Sequence, residues 1–308
     1  MANIPAYPQF GDITLEHAEE VRTLLGTINA EVAEFSFSNL FLFRHAHEYR
    51  LSRWQDFLLI TGKGYDQQSY AFPPLGKGDV HQAVSLLVDH LQSKGLPPVF
   101  FPVPDAWLES LFPGPLWTPV ADRNQADYLY LREDLATLPG KKFQKRRNRL
   151  KKFLREEAAG YQYAELADEY LPQCLELADG WCDIRCSLER PSTYQETQAV
   201  KEALQYYRLL GLRGGVILIA GRVRAFCLGE PLNRKTFVVH FEKTEPGRTG
   251  LAQIINRDFC QHSLGAFIYV NREQDLGDAG LRQAKMSYNP VCLLEKNCLT
   301  LEKSETSC

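Results

Sequence analysis

Two apolar periods divide the chain into elements. From Thr14 to Ala30, the residues Leu15, Val21, Leu24, Leu25 and Ile28 recur at helical spacing, with Asp12 or Thr14 placed to cap an opening helix. Phe35 to Phe43 is aromatic and begins with alternation. Asp56–Gly62 and Ser69–Phe72 are short apolar runs that predict strands. The glycine-rich loop Pro73–Gly78 leads to Asp79, which opens a helix carrying Val80, Ala83, Val84, Leu87, Val88 and Leu91 and closed by Gly95. Val99–Val103 is the next strand, and Pro104-Asp105 starts a short helix reaching Leu111.

The second half repeats this order. Val216–Ala220 and Val223–Leu228 read as a hairpin around Gly221-Arg222, Thr236–Lys243 as a strand, and Pro246–Gly250 as a glycine-bearing loop. Helix Leu251–Ser263 places Ile254, Ile255, Phe259 and Cys260 inward, and Gly265 ends it. Strand Ala266–Val270 and a helix over Ala279–Lys285 follow. Parallel strands joined by a helix need crossovers of this length. The expectation is an α/β (α+β) chain of two similar units, residues 1–140 and 156–308, connected by a helix at 141–155.

That connecting segment reads KKFQKRRNRLKKFLR, nine basic residues without an acid. Phe143, Leu150, Phe153 and Leu154 form a narrow apolar stripe by which it can dock. A charge run is usually a solvated face. Nine uncompensated like charges repel one another unless an anion lies near, however. Lys141, Lys142, Lys145, Arg146 and Arg149 are therefore the expected contacts to a polyanion. The whole chain's net charge of −3 conceals this: residues 1–140 carry −8, 141–155 carry +9 and 156–308 carry −4.

Composition adds boundaries. With 44% hydrophobic and 24% charged residues the chain is of ordinary globular type, and disorder, collagen and coiled coil are excluded. A chain of this length buries roughly three quarters of its unfolded surface, so it needs no metal or disulfide staple. The N-terminus lacks a basic region and an apolar run, and no stretch approaches the roughly 20 apolar residues that span a bilayer. The expectation is a cytoplasmic protein. None of the eight cysteines forms a CxxC pair, so they read as reduced, mostly buried thiols without a metal site.

Polar chemistry concentrates in two segments. In Val239–Gly250, alternation puts His240 and Glu242 on one strand face, with Val239, Phe241 and Lys243 on the other. The following loop and helix start suit an anion such as a pyrophosphate. Gly250 and Ala252 match the end of the acyl-CoA loop pattern, and Arg248 is the basic residue beside them; a plain strand-to-helix turn is the alternative. In Tyr269–Tyr288, Asn271, Arg272, Glu273 and Asp275 follow a buried strand, where ligands gather in open α/β sheets. Arg282 and Lys285 share a helix face. Glu242 and Glu273 are candidate general bases and Tyr288 a candidate proton donor. A salt-bridge network pinning the loop is the structural alternative.

HFEK (His240–Lys243), NREQDLG (Asn271–Gly277) and LRQAKMSYNP (Leu281–Pro290) resemble the signature of bacterial proteins similar to the C-terminal domain of phosphatidylglycerol lysyltransferase. FSFSNLFLFR near Phe35 and the basic segment fit as well. The resemblance implies a tandem pair of GNAT-like acyltransferase units with mixed sheets flanked by helices. It gathers Glu242, Lys243, Asn271, Arg272, Glu273, Asp275, Lys285 and Tyr288 around a site in the second unit. It also implies transfer of an aminoacyl group from tRNA to a lipid headgroup; a small-molecule amine or hydroxyl is the other acceptor considered for this chain.

Three functions compete. The first is an aminoacyl or acyl transferase with aminoacyl-tRNA as donor, its basic helix meeting the RNA backbone. The second is an acyl-CoA N-acetyltransferase using the Pro246–Ala252 loop. The third is a non-enzymatic RNA-binding module on a degenerate transferase fold. None implies a metal or redox cofactor.

Overall fold

The computed structural model describes residues 4–157, 160–185 and 191–301. Its strands are β1 (Gly11–Asp12), β2 (Arg50–Trp54), β3 (Phe57–Lys63), β4 (Ser69–Ala71), β5 (Leu75–Gly76), β6 (Val99–Pro104), β7 (Trp117–Ala121), β8 (Asp127–Leu131), β9 (Tyr161–Glu165), β10 (Arg213–Ile219), β11 (Arg222–Pro231), β12 (Thr236–Thr244), β13 (Tyr269–Asn271), β14 (Cys292–Leu294) and β15 (Lys296–Leu301). Its helices are α1 (Ala18–Ile28), α2 (Phe37–Leu42), α3 (Val80–Ser93), α4 (Leu108–Leu111), α5 (Arg132–Thr137), α6 (Gln144–Glu156), α7 (Leu171–Arg185), α8 (Pro191–Gln205), α9 (Leu251–His262) and α10 (Ala279–Met286). Among the described residues no helix is long and apolar enough to cross a membrane.

Two compact units result, each a mixed sheet flanked by helices. One runs to Ala126 and takes in the chain from Leu294 on; the other is Asp127–Leu293. The division differs from the linear one read at 140 and 155. β15 leaves the end of the chain to pair with β6 and β7 in the first sheet. β8 pairs with β13 in the second sheet, so α5 and the basic helix α6 belong to the second unit rather than to a connector. Backbone pairing decides this, and linear spacing does not record it.

The first unit's sheet has the order β1-β2-β3-β4-β6-β15-β7, with β5 on β3. Parallel strands β4 and β6 are joined across α3, which Asp79 caps by accepting from the Gln82 N–H at 3.0 Å. Phe57, Leu59, Leu87, Leu91, Phe100 and Val103 fill its core. The aromatic run near Phe35 begins as alternation but winds into α2, because Ser36 caps it by accepting from the Asn39 N–H.

The second sheet has the order β14-β8-β13-β12-β11-β10-β9. β10 and β11 form the expected hairpin; Ala220 and Gly221 take φ values of 50° and 71°. Positive φ at both central residues is the turn that matches strand twist. Parallel strands β12 and β13 are joined across α9, and pair only from Thr236 opposite Tyr269 to Val238 opposite Asn271. Beyond that point β12 continues beside β11 only, and β12 and β13 part. The core beneath holds Phe143 and Phe153 of the basic segment with Tyr128, Tyr130, Ile254, Ile255 and Phe259.

Candidate active site

The site grows from an irregularity in β12. Along β11, Leu228 pairs with Phe241 while Gly229 pairs with Val239, so His240 is an extra residue. Such a bulge reverses the alternation after it. Glu242 therefore lies opposite Cys227, on the core face that also carries Phe237 and Val239, and His240 turns to the opposite face. The shared face expected for His240 and Glu242 is thus corrected, and two separate charge clusters replace it.

On the core face, Arg272 Nη2 donates to Glu242 at 3.0 Å. Its Cζ lies 5.0 Å from the Tyr288 ring centroid and 5.8 Å from that of Tyr130. Arg146 enters from α6, its Cζ 4.4 Å from the Tyr288 centroid and its Nη2 donating to the Ala284 carbonyl at 3.1 Å. Burial works to lower the Arg272 guanidinium, but Glu242 together with Tyr130 and Tyr288 outweighs it and holds the cation. Burial raises the Tyr288 phenol, which is hydrogen-bonded to Gln253 and stays protonated. Cys260 lies nearby with its thiol pushed up to about 12 by burial, which removes it as a thiolate nucleophile.

On the opposite face, His240 donates from Nδ1 to Glu273 at 2.7 Å and from Nε2 to Glu230 at 3.1 Å. Burial alone would lower the imidazole; its two carboxylate partners raise it to about 10. Glu273, a candidate base, is thus engaged by an imidazolium.

The loop after β13 is braced throughout. Glu273, Leu276 and Gly277 have φ of 54°, 49° and 77°. Asn271 donates to Asp127 at 2.9 Å and accepts from the Glu273 N–H at 2.7 Å. Asp275 accepts from the Tyr128 hydroxyl at 2.5 Å and from two nitrogens of Arg282 at 2.9 and 2.7 Å. Burial works to raise the Asp275 carboxyl, but these bonds hold it well below the usual carboxylate range. Lys285 Nζ donates to the carbonyls of Arg272, Glu273 and Gln274 at 2.7, 3.1 and 2.5 Å. Burial lowers this ammonium to about 8. The loop's polar groups therefore fix where Arg272 stands.

A family model described as phosphatidylglycerol lysyltransferase, C-terminal, matches residues 26–299. The chain belongs to that family. A Bacteroides thetaiotaomicron protein of unknown function, solved as a crystal structure, is 34% identical and covers 95% of this chain and 99% of its own, with a TM-score of 0.87. The L-PGS structure from Bacillus licheniformis is 13% identical over 99% of this chain and 96% of its own, with a TM-score of 0.64, and shares the fold. A curated Mycoplasmoides gallisepticum relative, an uncharacterized protein, is 24% identical over 180 residues; the match spans 58% of this chain and 56% of that relative. As a member of the phosphatidylglycerol lysyltransferase C-terminal family, the chain is of acyl- or aminoacyl-transferase type.

Within this family member, the remaining candidates lie apart from the Glu242–Arg272–Tyr288 group. Lys243 faces α8 and donates to Glu196 at 2.6 Å. Arg248 is bound by Glu245 and Glu157, so its charge is already met by carboxylates. Gly250 precedes α9 with φ of 95°, and a Cβ there would lie 2.8 Å from the Arg149 carbonyl oxygen and 2.6 Å from the Phe153 Cβ. Its glycine serves close packing beneath α6. Ala252 follows in the first turn of α9. Lys141, Lys142, Lys145 and Arg149 are exposed, and Lys142 pairs with Asp134 at 2.7 Å. Arg146 is buried, 8% exposed, and leaves the cationic face for the site. The inward stripe is Phe143–Arg146–Leu150–Phe153, while Leu154, read as part of the stripe, is exposed. Sequence reading missed Tyr130 and Gln253 as site residues, and placed Arg146 with the outward polyanion contacts rather than beside Tyr288. Helical spacing from Phe143 to Phe153 was the available signal for Arg146. Cys186 and Cys308 lie outside the described residues.

Proposed function

We propose that the chain is an aminoacyl transferase that moves an aminoacyl group from aminoacyl-tRNA to an amine or hydroxyl acceptor. The observation that carries this reading is the bulge at His240, which turns Glu242 onto the face shared by Arg272 and Tyr288 where β12 and β13 part. Glu242 takes the proton from the attacking acceptor, the acceptor atom bonds to the ester carbonyl carbon, and the carbon–oxygen bond to the tRNA ribose breaks. Tyr288, kept protonated by burial, supplies the proton to the leaving oxygen. Holding donor and acceptor together supplies much of the acceleration. The exposed cations Lys141, Lys142, Lys145 and Arg149 support an RNA donor, because they lie on, or just before, the helix that also sends Arg146 inward. The acyl-CoA reading loses support from Arg248, already bound by two carboxylates, and from Gly250, packed beneath α6.

The test incubates the protein with tRNA carrying a labelled aminoacyl group and a panel of amine, hydroxyl and lipid-headgroup acceptors. Label moves to an acceptor, and Glu242→Gln stops transfer while tRNA binding persists. Absent or salt-insensitive tRNA binding removes the donor assignment. Transfer that survives Glu242→Gln removes the assigned base, and binding without any transfer favours an RNA-binding module.

A further inference from the structure

Two guanidinium groups are packed against one phenol ring in the second unit, and a single carboxylate answers them. Arg146 and Arg272 place their Cζ atoms 4.4 and 5.0 Å from the Tyr288 centroid. Glu242 accepts from Arg272 Nη2, but Arg272 Nη1 is buried without a hydrogen-bond partner. Arg146 bonds the Ala284 carbonyl, and among the described residues no carboxylate pairs with it. The hydroxyls of the neighbouring tyrosines do not answer the excess charge: Tyr130 donates to the Lys285 carbonyl at 2.9 Å, and Tyr288 is held by Gln253. The cluster thus carries one positive charge more than its own carboxylate balances, and it carries it largely out of water. Burial and the proximity of Arg149 and Arg272 all act against the Arg146 cation. Buried cations without a counter-charge are costly, and guanidinium forks match the paired oxygens of a carboxylate or a phosphoryl group. The cluster meets solvent where Arg272 and Glu242, the assigned base, keep 12% and 17% of their side-chain surface.

We propose that Arg146 and Arg272, stacked on Tyr288, form a receptor for an oxyanion of the acceptor substrate, a carboxylate or a phosphoryl group. Arg146 is then a specificity residue of the site, distinct from the outward cations of its own helix. The role of the bound group as part of an acceptor rests on the transferase reading; the binding itself does not.

The experiment titrates the full chain with inorganic phosphate and, separately, with acetate at constant ionic strength, following the Arg Nε–H signals by NMR. One saturable site is expected, and the stronger of the two probes names the source as phosphoryl or carboxylate. Arg146→Gln weakens binding at least tenfold, Arg146→Lys by less, and Lys151→Gln, an exposed cation on the same helix, by less than twofold. Non-saturable shifts, equal loss in Arg146→Gln and Lys151→Gln, or unchanged binding in a folded Arg146→Gln protein overturns the proposal. If Arg146→Gln does not fold, Arg146→Lys decides: binding weakened no more than in Lys151→Gln overturns it. No donor is present in the titration, so its outcome bears on the receptor alone; binding here together with no transfer in the labelled-tRNA assay counts against the transferase reading and not against the receptor.

Discussion

His240 gives a pH dependence that can be worked from the structure. Its imidazole is wholly enclosed, bonded to Glu230 and Glu273, and raised from 6.5 to about 10. The unfolded chain releases this proton near 6.5, while the folded chain keeps it to about 10. The contribution is therefore complete below pH 6.5 and lost as pH rises towards 10. At about 1.4 kcal/mol per pH unit, its full size is roughly 5 kcal/mol. Lys285 acts in the opposite sense. Its ammonium is lowered to about 8 from 10.5, so between those values stability rises with pH. The unmodified protein should lose about 2 kcal/mol between pH 6.5 and 8 and change little from 8 to 10, where the two slopes cancel. His240→Gln removes the first slope and leaves two carboxylates facing an uncharged side chain, so it should destabilise by about 3–5 kcal/mol at pH 6.5. Its deficit should then shrink by about 1.4 kcal/mol per pH unit as pH rises. Urea unfolding followed by circular dichroism measures the total, and hydrogen exchange of the β12 amides reads the second unit by itself. A deficit that stays constant from pH 6.5 to 9 would refute the buried imidazolium.

Other outcomes follow from single side chains. Gly250→Ala forces a Cβ against the Arg149 carbonyl at positive φ and should destabilise by about 1–3 kcal/mol, seen as a lower urea midpoint; an unchanged midpoint would mean that α6 does not pack as described. Tyr128→Phe removes the hydroxyl that Asp275 accepts from and should lower stability by about 1.5–3 kcal/mol, with faster exchange at the Gly277 amide. Phe153→Ala empties a fully buried ring site beneath α6 and should cost about 3–5 kcal/mol, well above any exposed substitution on that helix. Charge reversal at Lys145 and Arg149 should flatten the logarithmic salt dependence of tRNA affinity by about 0.7–0.9 for each phosphate no longer neutralised; an unchanged slope would move the RNA-binding surface elsewhere.

The amino-acid sequence determined the elements whose periods are local. The β10–β11 hairpin, β12, the crossover helix α9 and the basic helix α6 are legible because each buries one face, and the apolar positions record which. The same holds for the neighbourhood of the second-unit candidates, since they follow strands within one short stretch. Only the tertiary structure decided their roles. A single extra residue at His240 reverses strand alternation, and no period announces it, because the register is set by β11 across the sheet. That reversal separates Glu242 from His240 and brings it to Arg272 and Tyr288. Arg146 looks like one cation among nine until α6 docks and turns that position inward, where Tyr288 and the carbonyl end of α10 receive it. Gly250 and Ala252 match a phosphate loop in spacing and Arg248 lies one position from its basic residue, but carboxylates from two segments and the backbone of α6 occupy the surroundings. Local chemistry fixes which side chains are available; long-range pairing and burial fix which charges meet, and a charge's function depends on what it meets.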